Sequence, residues 1–387
     1  MKKGLVIGFS SLLLFGVLSG CSGSPSGQGT GAAAAGDPIK IGVIVPETGD
    51  SALSGTLQTN GIQLKTDEIN SSGGLLGGRQ VQLVMEDDQG TDSGAVNAFN
   101  KIQGEGVTAV IGSIYSTANV AISSAVQKAG IPTTVSGSSK AIAALQNPWM
   151  FQVRTPDSIS AKALVNFAID TVKLKKPAIL YDTDTFGTGG MTVATDTLQA
   201  LGITPAVVVS YNTGSKDFTA QFMKIKDSGA DGILAWSQQT EAGLIMQQKT
   251  SLGIDIPMIG SNSFASQISL SVAKDTANGV YAIADFVPTT TSPTGQKFAA
   301  SYKAKYNIDA DFDGAIGYDA MSLIANAITT ANSTDPAAIQ TALANTKDFD
   351  GVCTTFTFDA DHVGGTGAQA VQIENQSPKV LAQVSGV

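Results

Sequence analysis

From residue 39 onward, short runs of β-branched residues alternate with longer stretches whose apolar residues recur at helical spacing. The run 39–45 is rich in Ile and Val and stops at Pro46, whereas the stretch 92–104 carries a helical pattern. Strands that alternate with helices predict parallel sheets with right-handed crossovers. Further strand candidates are residues 81–85, 107–111, 178–181, 206–210, 232–235 and 258–259.

The alternation forms two series, residues 39–154 and residues 157–284. A helical stretch at 294–343 follows without new strands, and we expect its helices to return to the first series. The tail from residue 353 is typical of short antiparallel strands. We predict an α/β chain of two doubly wound parallel-sheet lobes joined by hinge strands, with the ligand cleft at the carboxyl ends of the strands. Lobe 1 would comprise residues 38–156 and 286–352, and lobe 2 residues 157–285 and 353–387.

The first 20 residues have the pattern of a signal peptide. Lys2 and Lys3 precede an apolar run at 5–17, which is too short for a typical membrane-spanning helix. The sequence Leu-Ser-Gly-Cys at 18–21 resembles a lipobox, so we predict that Cys21 becomes lipidated and that residues 21–37 form a flexible tether. The alternative is an uncleaved anchor with an incidental cysteine.

The residue counts narrow the possible chemistry. Because His362 is the single histidine, a Ser-His-Asp triad must use it and a multi-histidine metal site cannot form. Cys21 and Cys353 are too few for a four-cysteine zinc site. A net charge of −9 argues against nucleic acid as a partner. We therefore predict a non-enzymatic chain without a metal or a cofactor.

Two polar turns follow predicted strands. Residues 112–119 (GSIYSTAN) precede a helix predicted at 120–128, whose free N–H groups and positive dipole end suit an anion. Ser116 and Thr117 add hydroxyl groups there, although either could simply cap the helix. Residues 133–140 (TTVSGSSK) form the second turn, for which the alternative is an ordinary solvated serine-rich loop.

Residues 70–88 (NSSGGLLGGRQVQLVMEDD) are the most specific stretch, with glycines that suit a helix end followed by a turn into a strand. This stretch resembles the solute-binding proteins of branched-chain amino acid ABC transporters, the Leu/Ile/Val-binding type. The resemblance covers nearly all of residues 39–360, and its further parts are residues 39–43, 110–113 with Ser116, 130–132, 151–155, 179–182, 186–187, 216–218, 229–231, 279–281 and 318–320.

The resemblance implies a periplasmic binding protein type I fold, in which two lobes close like a Venus flytrap. It also implies a monomeric receptor that captures a small polar solute, such as an amino acid, and delivers it to an ABC permease. Such a receptor would lie on the extracytoplasmic face of the cell membrane, held by its lipid.

Individual site roles are also implied by the resemblance. Ser116 matches a carboxylate-binding serine, Ser139 a carboxylate-binding threonine, and Gly137 a residue whose carbonyl accepts from the ligand amine. Aromatic or tyrosine positions of the pocket match Ser54, Phe186, Gln238 and Asp313. Tyr115 is a candidate wall residue. The predicted ligand-binding residues are Ser54, Tyr115, Ser116, Thr117, Gly137, Ser138, Ser139, Phe186, Gln238, Asn262 and Asp313.

Asn262 departs from the family pattern, because an acid that pairs with the ligand amine usually stands there. A neutral amide cannot replace that charge, so either Asp313 supplies it or the ligand has no amine. A receptor for amides, urea or an amine-free carboxylate stays open, as does a sensory co-receptor of the same fold. An exported hydrolase based on the adjacent Ser139 and Lys140 is a further alternative.

Overall fold

The computed structural model describes residues 36–385. Its first half alternates strands and helices, as the sequence pattern predicts. The strands are β1 (Ile39–Val45), β2 (Val81–Asp87), β3 (Ala109–Ile111), β4 (Thr133–Val135), β5 (Met150–Gln152), β6 (Pro177–Asp182) and β7 (Val208–Tyr211). The helices are α1 (Ala52–Ser71), α2 (Asp92–Ile102), α3 (Ser116–Ala129), α4 (Lys140–Ala143), α5 (Asp157–Asp170), α6 (Thr185–Ala200) and α7 (Thr219–Asp227).

The second half adds three more strands that alternate with helices, followed by a run of helices and a strand-rich tail. The strands are β8 (Gly232–Trp236), β9 (Met258–Gly260), β10 (Tyr281–Ala284), β11 (Phe349–Asp350), β12 (Thr355–Phe356), β13 (Gly367–Glu374) and β14 (Ser377–Ser385). The helices are α8 (Gln239–Ser251), α9 (Gln267–Ala273), α10 (Pro293–Tyr306), α11 (Phe312–Ala331) and α12 (Pro336–Ala344). Short 3-10 turns cover Gln103–Glu105, Asn262–Ala265 and Lys274–Ala277.

Two separate sheets form the centres of two lobes. The first has the order β2-β1-β3-β4-β5 and is parallel throughout. The second has the order β14-β13-β10-β9-β8-β6-β7, in which β13 and β14 are antiparallel. The predicted α/β class and the antiparallel tail are therefore confirmed. Apolar strand residues are buried on both faces of each sheet, as helices cover both sides.

The chain crosses between the two sheets after β5, after β10 and between β12 and β13. Gln152 donates its backbone N–H to the carbonyl of His362 at 2.9 Å and accepts from the backbone of Gly364 at 3.1 Å. The third crossing thus lies beside the first. The exact lobe boundaries stay a prediction, but Phe356 and Phe358, predicted in lobe 2, pack in the core of the first sheet.

The corner between α1 and β2 needs glycine. Gly73 and Gly74 follow the helix with φ of 102° and 77°, and Gly74 donates its N–H to the carbonyl of Ile69 at 2.9 Å. A side chain is strained in this region of backbone space, so the glycine pair solves a local problem. The predicted helix end is confirmed.

Other local predictions are confirmed with shifted bounds. Asp335 caps α12 through a bond to the N–H of Ala338, with Pro336 in the first turn. Helix α3 begins at Ser116, four residues earlier than predicted. The predicted signal peptide, Cys21 and most of the tether lie outside the described residues. Within residues 36–385 no helix is long and apolar enough to span a bilayer.

The long helices α1 and α11 pack closely, since glycines lie at their contact. A Cβ atom at Gly61 would lie 1.8 Å from the carbonyl oxygen of Gly314. At Gly104, by contrast, a Cβ would meet nothing within 4 Å.

We predict that Gly61→Ala lowers the free energy of unfolding by about 1–3 kcal/mol, because the added methyl group forces the two helices apart. Urea titration followed by circular dichroism measures the change. Gly104→Ala is the control and should stay close to the parent. Equal stability of the two variants would contradict this account of the helix contact.

Candidate functional site

A cavity lined by residues of both lobes lies between them. It is lined by residues that follow the carboxyl ends of β3, β4, β8 and β9 and by the starts of α3, α8 and α11, which is where parallel sheets place ligands. The lining residues are Gln58, Ile114, Tyr115, Ser116, Ser136, Ser138, Arg154, Phe186, Gln238, Gln239, Asn262, Ser263, Phe312, Asp313 and Ile316.

The start of α3 forms one wall of the cavity. Tyr115 is extended and Ser116 opens the helix, so the first N–H groups of a 14-residue helix lie at this wall. The Ser116 hydroxyl accepts from the backbone N–H of Ser139 at 3.3 Å and keeps its own hydrogen for donation. This arrangement suits a carboxylate.

Asp313 brings a buried carboxylate to the same cavity from the first turn of α11. Gln239, at the start of α8 on the other lobe, donates its side-chain N–H to Asp313 Oδ2 at 2.8 Å. Burial and the neighbouring Asp311 raise the pKa of Asp313 well above its ordinary value. The bond between Gln239 and Asp313 joins the two lobes directly across the cavity.

The second lobe contributes mostly amide groups. Gln238 donates to Asp184 Oδ2 at 2.7 Å, and Asp184 itself caps α6 by accepting from Gly187 N at 2.6 Å. Among residues 36–385, the buried Asn262 Nδ2 meets no hydrogen-bond acceptor. Phe186 packs against the Trp236 ring with centroids 5.6 Å apart.

Arg154 is the only cationic residue among those that line the described cavity. It forms a buried ion pair with Asp285 and donates to the backbone carbonyl of Ser136 at 3.2 Å. Its guanidinium carbon lies 5.7 Å from the centre of the Phe312 ring. The positive charge is therefore already neutralised by an internal partner.

The structure brings together seven of the eleven predicted ligand-binding residues, and these are Tyr115, Ser116, Ser138, Phe186, Gln238, Asn262 and Asp313. Ser54 is buried beside Asp313, and its hydroxyl opposes the rise in the pKa of that acid. Thr117 and Gly137 do not line the cavity. The carbonyl of Gly137 accepts from Gln152 Nε2 at 2.9 Å.

Ser139 also lies outside the cavity lining. Its hydroxyl accepts from the backbone N–H of Ala141 at 3.3 Å and so caps the short helix α4. It borders a second groove between α4 and α6 instead, close to Gly189. Ser139 supports the site through its backbone, which donates to Ser116.

Sequence reasoning missed several lining residues, chiefly Gln58, Arg154 and Gln239. Arg154 carried a signal, because it follows a strand end and is one of only two arginines in the chain. Gln239 adjoins the predicted Gln238. Gln58 lies inside α1 with no local signal, and its side chain donates to Ser136 Oγ at 2.9 Å.

No group of three or more His, Cys, Asp or Glu side chains within residues 36–385 is arranged to hold a metal ion. Asp359 accepts backbone N–H bonds from Asp361 and Val363 at 3.0 and 2.9 Å. His362 stacks on Phe151 with ring centroids 4.3 Å apart. This acidic turn is thus part of a hydrogen-bonded loop.

Asp157 is a buried acid at the first turn of α5, where its backbone N–H donates to the carbonyl of Ser138 at 2.9 Å. Within the described chain neither of its carboxylate oxygens has a well-aligned hydrogen-bond partner. Burial raises the pKa of Asp157 to about 7, and the nearby Ser138 hydroxyl and the Arg154 charge offset part of that rise. The folded protein therefore holds this proton more tightly than the unfolded chain, whose aspartate pKa is about 3.9.

We predict that the free energy of unfolding falls as the pH rises from about 4 to about 7, because Asp157 ionises in the unfolded chain but stays protonated in the folded protein. Asp157→Asn should abolish this loss and raise the free energy of unfolding at pH 8 by about 1–4 kcal/mol. Urea unfolding at pH 5 and pH 8 tests it, with the exposed Asp196→Asn as the matched control. An unchanged pH dependence in Asp157→Asn would count against the assignment.

Residues 38–378 match the family model described as "Periplasmic binding protein". The chain is 30% identical to the Leu/Ile/Val-binding protein BraC3 of Rhizobium johnstonii over 313 residues, which cover 80% of this chain and 84% of the relative. It is 28% identical to the leucine-, isoleucine-, valine-, threonine- and alanine-binding protein of Pseudomonas aeruginosa over 316 residues, which cover 81% and 84% of the two chains.

Solved structures of similar proteins have the same fold as this chain. The branched-chain amino acid transporter substrate-binding protein LivJ from Streptococcus pneumoniae, in complex with isoleucine, superposes with a TM-score of 0.82 at 29% identity, covering 90% of this chain and 99% of that one. A leucine-binding protein from Thermotoga maritima shares the fold, with a TM-score of 0.83 at 24% identity and coverage of 90% and 99%. The family model and these relatives together show that the chain belongs to the periplasmic binding protein family.

Proposed function

We propose that this chain is the solute receptor of an ABC importer and that its ligand is an α-amino acid. The family is extracytoplasmic, and relatives of known structure bind amino acids. The observation that carries the proposal is the pairing, in one interlobe cavity, of an anion-binding helix start at Ser116 with the buried carboxylate of Asp313. These two features match the carboxylate and the ammonium group of an amino acid.

The balance of buried charge favours a ligand that carries an amine. Asp313 and Arg154 are the charged residues that line the cavity in the described chain, and Arg154 is already paired with the buried Asp285. An ammonium group would lower the cost of ionising Asp313. An amine-free carboxylate would add a further negative charge, which makes that alternative less favourable.

Closure of the lobes follows from the same contacts. The first lobe supplies Ser116 and Asp313, and the second supplies Gln239 and Asn262. A ligand that touches both walls stabilises the closed form over the open one, whereas a ligand that touches one wall shifts nothing. The closed form is then the species that a permease would recognise.

A covalent reaction is not required by this arrangement. In the described chain no hydrogen bond joins the Ser139 and Lys140 side chains, and Ser139 caps a helix. The proposed monomer acts by binding and release, and no cofactor enters the mechanism. A sensory role would use the same closure and would differ only in the membrane partner.

We propose in addition that the chain is held at the outer face of the membrane through a lipidated Cys21. The sequence 18–21 supports this, and the net charge of −9 suits repeated docking with little non-specific binding.

Isothermal titration of the full-length protein with the twenty amino acids tests the ligand class. We expect at least one to bind, and its amine-free counterpart to bind at least about tenfold more weakly, since charge-assisted hydrogen bonds are lost. Asp313→Asn should weaken binding by about 10–100-fold. The exposed Asp196→Asn is the control. Equal binding of the amine-free compound would overturn the assignment of Asp313.

Cys21→Ser tests the anchor in cells. We expect the parent chain in the membrane fraction and Cys21→Ser in the soluble extracytoplasmic fraction, because the lipid would be lost. Cys353→Ser is the matched control and should stay with the membrane. Membrane retention of Cys21→Ser equal to that of the parent would show that another element anchors the chain.

A further inference from the structure

Most of the residues that line the interlobe cavity carry a polar side-chain group. Of its fifteen lining residues, four are apolar, namely Ile114, Phe186, Phe312 and Ile316. The others carry hydroxyl, amide or charged groups. Pockets that hold apolar groups are lined predominantly by apolar residues with few polar atoms. The cavity therefore offers hydrogen-bonding groups in addition to those that an amino-acid head requires.

Two polar atoms of the second-lobe wall have no hydrogen-bond partner within residues 36–385. They are the side-chain carbonyl oxygen of Gln239 and the side-chain nitrogen of Asn262, and both residues are nine-tenths or more buried. The Gln239 nitrogen donates to Asp313 Oδ2 at 2.8 Å, which leaves the Gln239 oxygen available as an acceptor. The side-chain nitrogen of Asn262 is available as a donor.

An unpaired acceptor and an unpaired donor on the same wall match a single chemical group. A carboxamide carries an N–H₂ donor and a carbonyl acceptor on one planar unit. We propose, on the basis of the amino-acid receptor function above, that the ligand side chain ends in a carboxamide, as in glutamine or asparagine. Its N–H₂ donates to Gln239 Oε1, and its carbonyl accepts from Asn262 Nδ2.

A branched hydrocarbon side chain would leave both buried atoms unpaired when the lobes close. Sites built to hydrogen-bond a substrate group reject analogues that lack it far more strongly than apolar pockets reject one additional methylene. The side-chain amides of Gln239 and Asn262 thus act in two ways, since they bind the carboxamide and disfavour leucine. Asp313 continues to hold the ammonium group in this arrangement.

The test is isothermal titration of the full-length protein with glutamine, asparagine, leucine and norleucine. We expect glutamine or asparagine to bind at least about 100-fold more tightly than leucine or norleucine. Asn262→Leu should reduce this ratio at least tenfold, through weaker carboxamide binding and stronger hydrocarbon binding. The ratio separates this effect from a folding defect, which would weaken all four ligands alike.

Asn100→Leu, at an exposed position of α2, is the matched control and should keep the parent ratio. Leucine binding as tight as glutamine binding would overturn the carboxamide assignment and leave the amino-acid receptor function intact. If no member of the twenty amino acids binds, the receptor function itself is overturned. The two failures are therefore distinguishable.

Discussion

The buried ion pair between Arg154 and Asp285 holds the two lobes in a defined relation. Arg154 lies on the first crossing between the sheets and Asp285 directly after β10, where the chain returns. The guanidinium also bonds the carbonyl of Ser136 and lines the cavity. Loss of either charge would leave the other buried and unpaired. The crossing segments and the Arg154 part of the cavity wall therefore depend on the same ion pair.

Around this pair the site carries an excess of buried acid. Asp157, Asp311 and Asp313 have raised pKa values, each chiefly because of burial. Such groups reduce the stability of the empty fold at neutral pH and gain most from a cationic ligand group. Of these three acids Asp313 lines the cavity, so its cost of ionisation is the one that the ammonium group of the proposed ligand would lower.

Much of the fold could be predicted from local sequence patterns. The alternation of β-branched runs with helical stretches predicts the two parallel sheets, and the glycines at 73–74 predict the end of α1. The parallel arrangement in turn predicts that side chains after strand ends, such as Ser116 and Asn262, meet in one cleft. Gln239 and Arg154 were not predicted, since their roles depend on partners far away in the sequence.

The sequence by itself determined the class of fold, the position of the cleft at the carboxyl ends of the strands, and the family resemblance, because each follows from residue type, order and spacing. Only the tertiary structure decided that Ser139 caps a helix while Ser138 lines the cavity. It also decided that Gln239 meets Asp313 across the lobes. These contacts join distant segments, and their geometry is set by how the lobes pack, which no local pattern encodes.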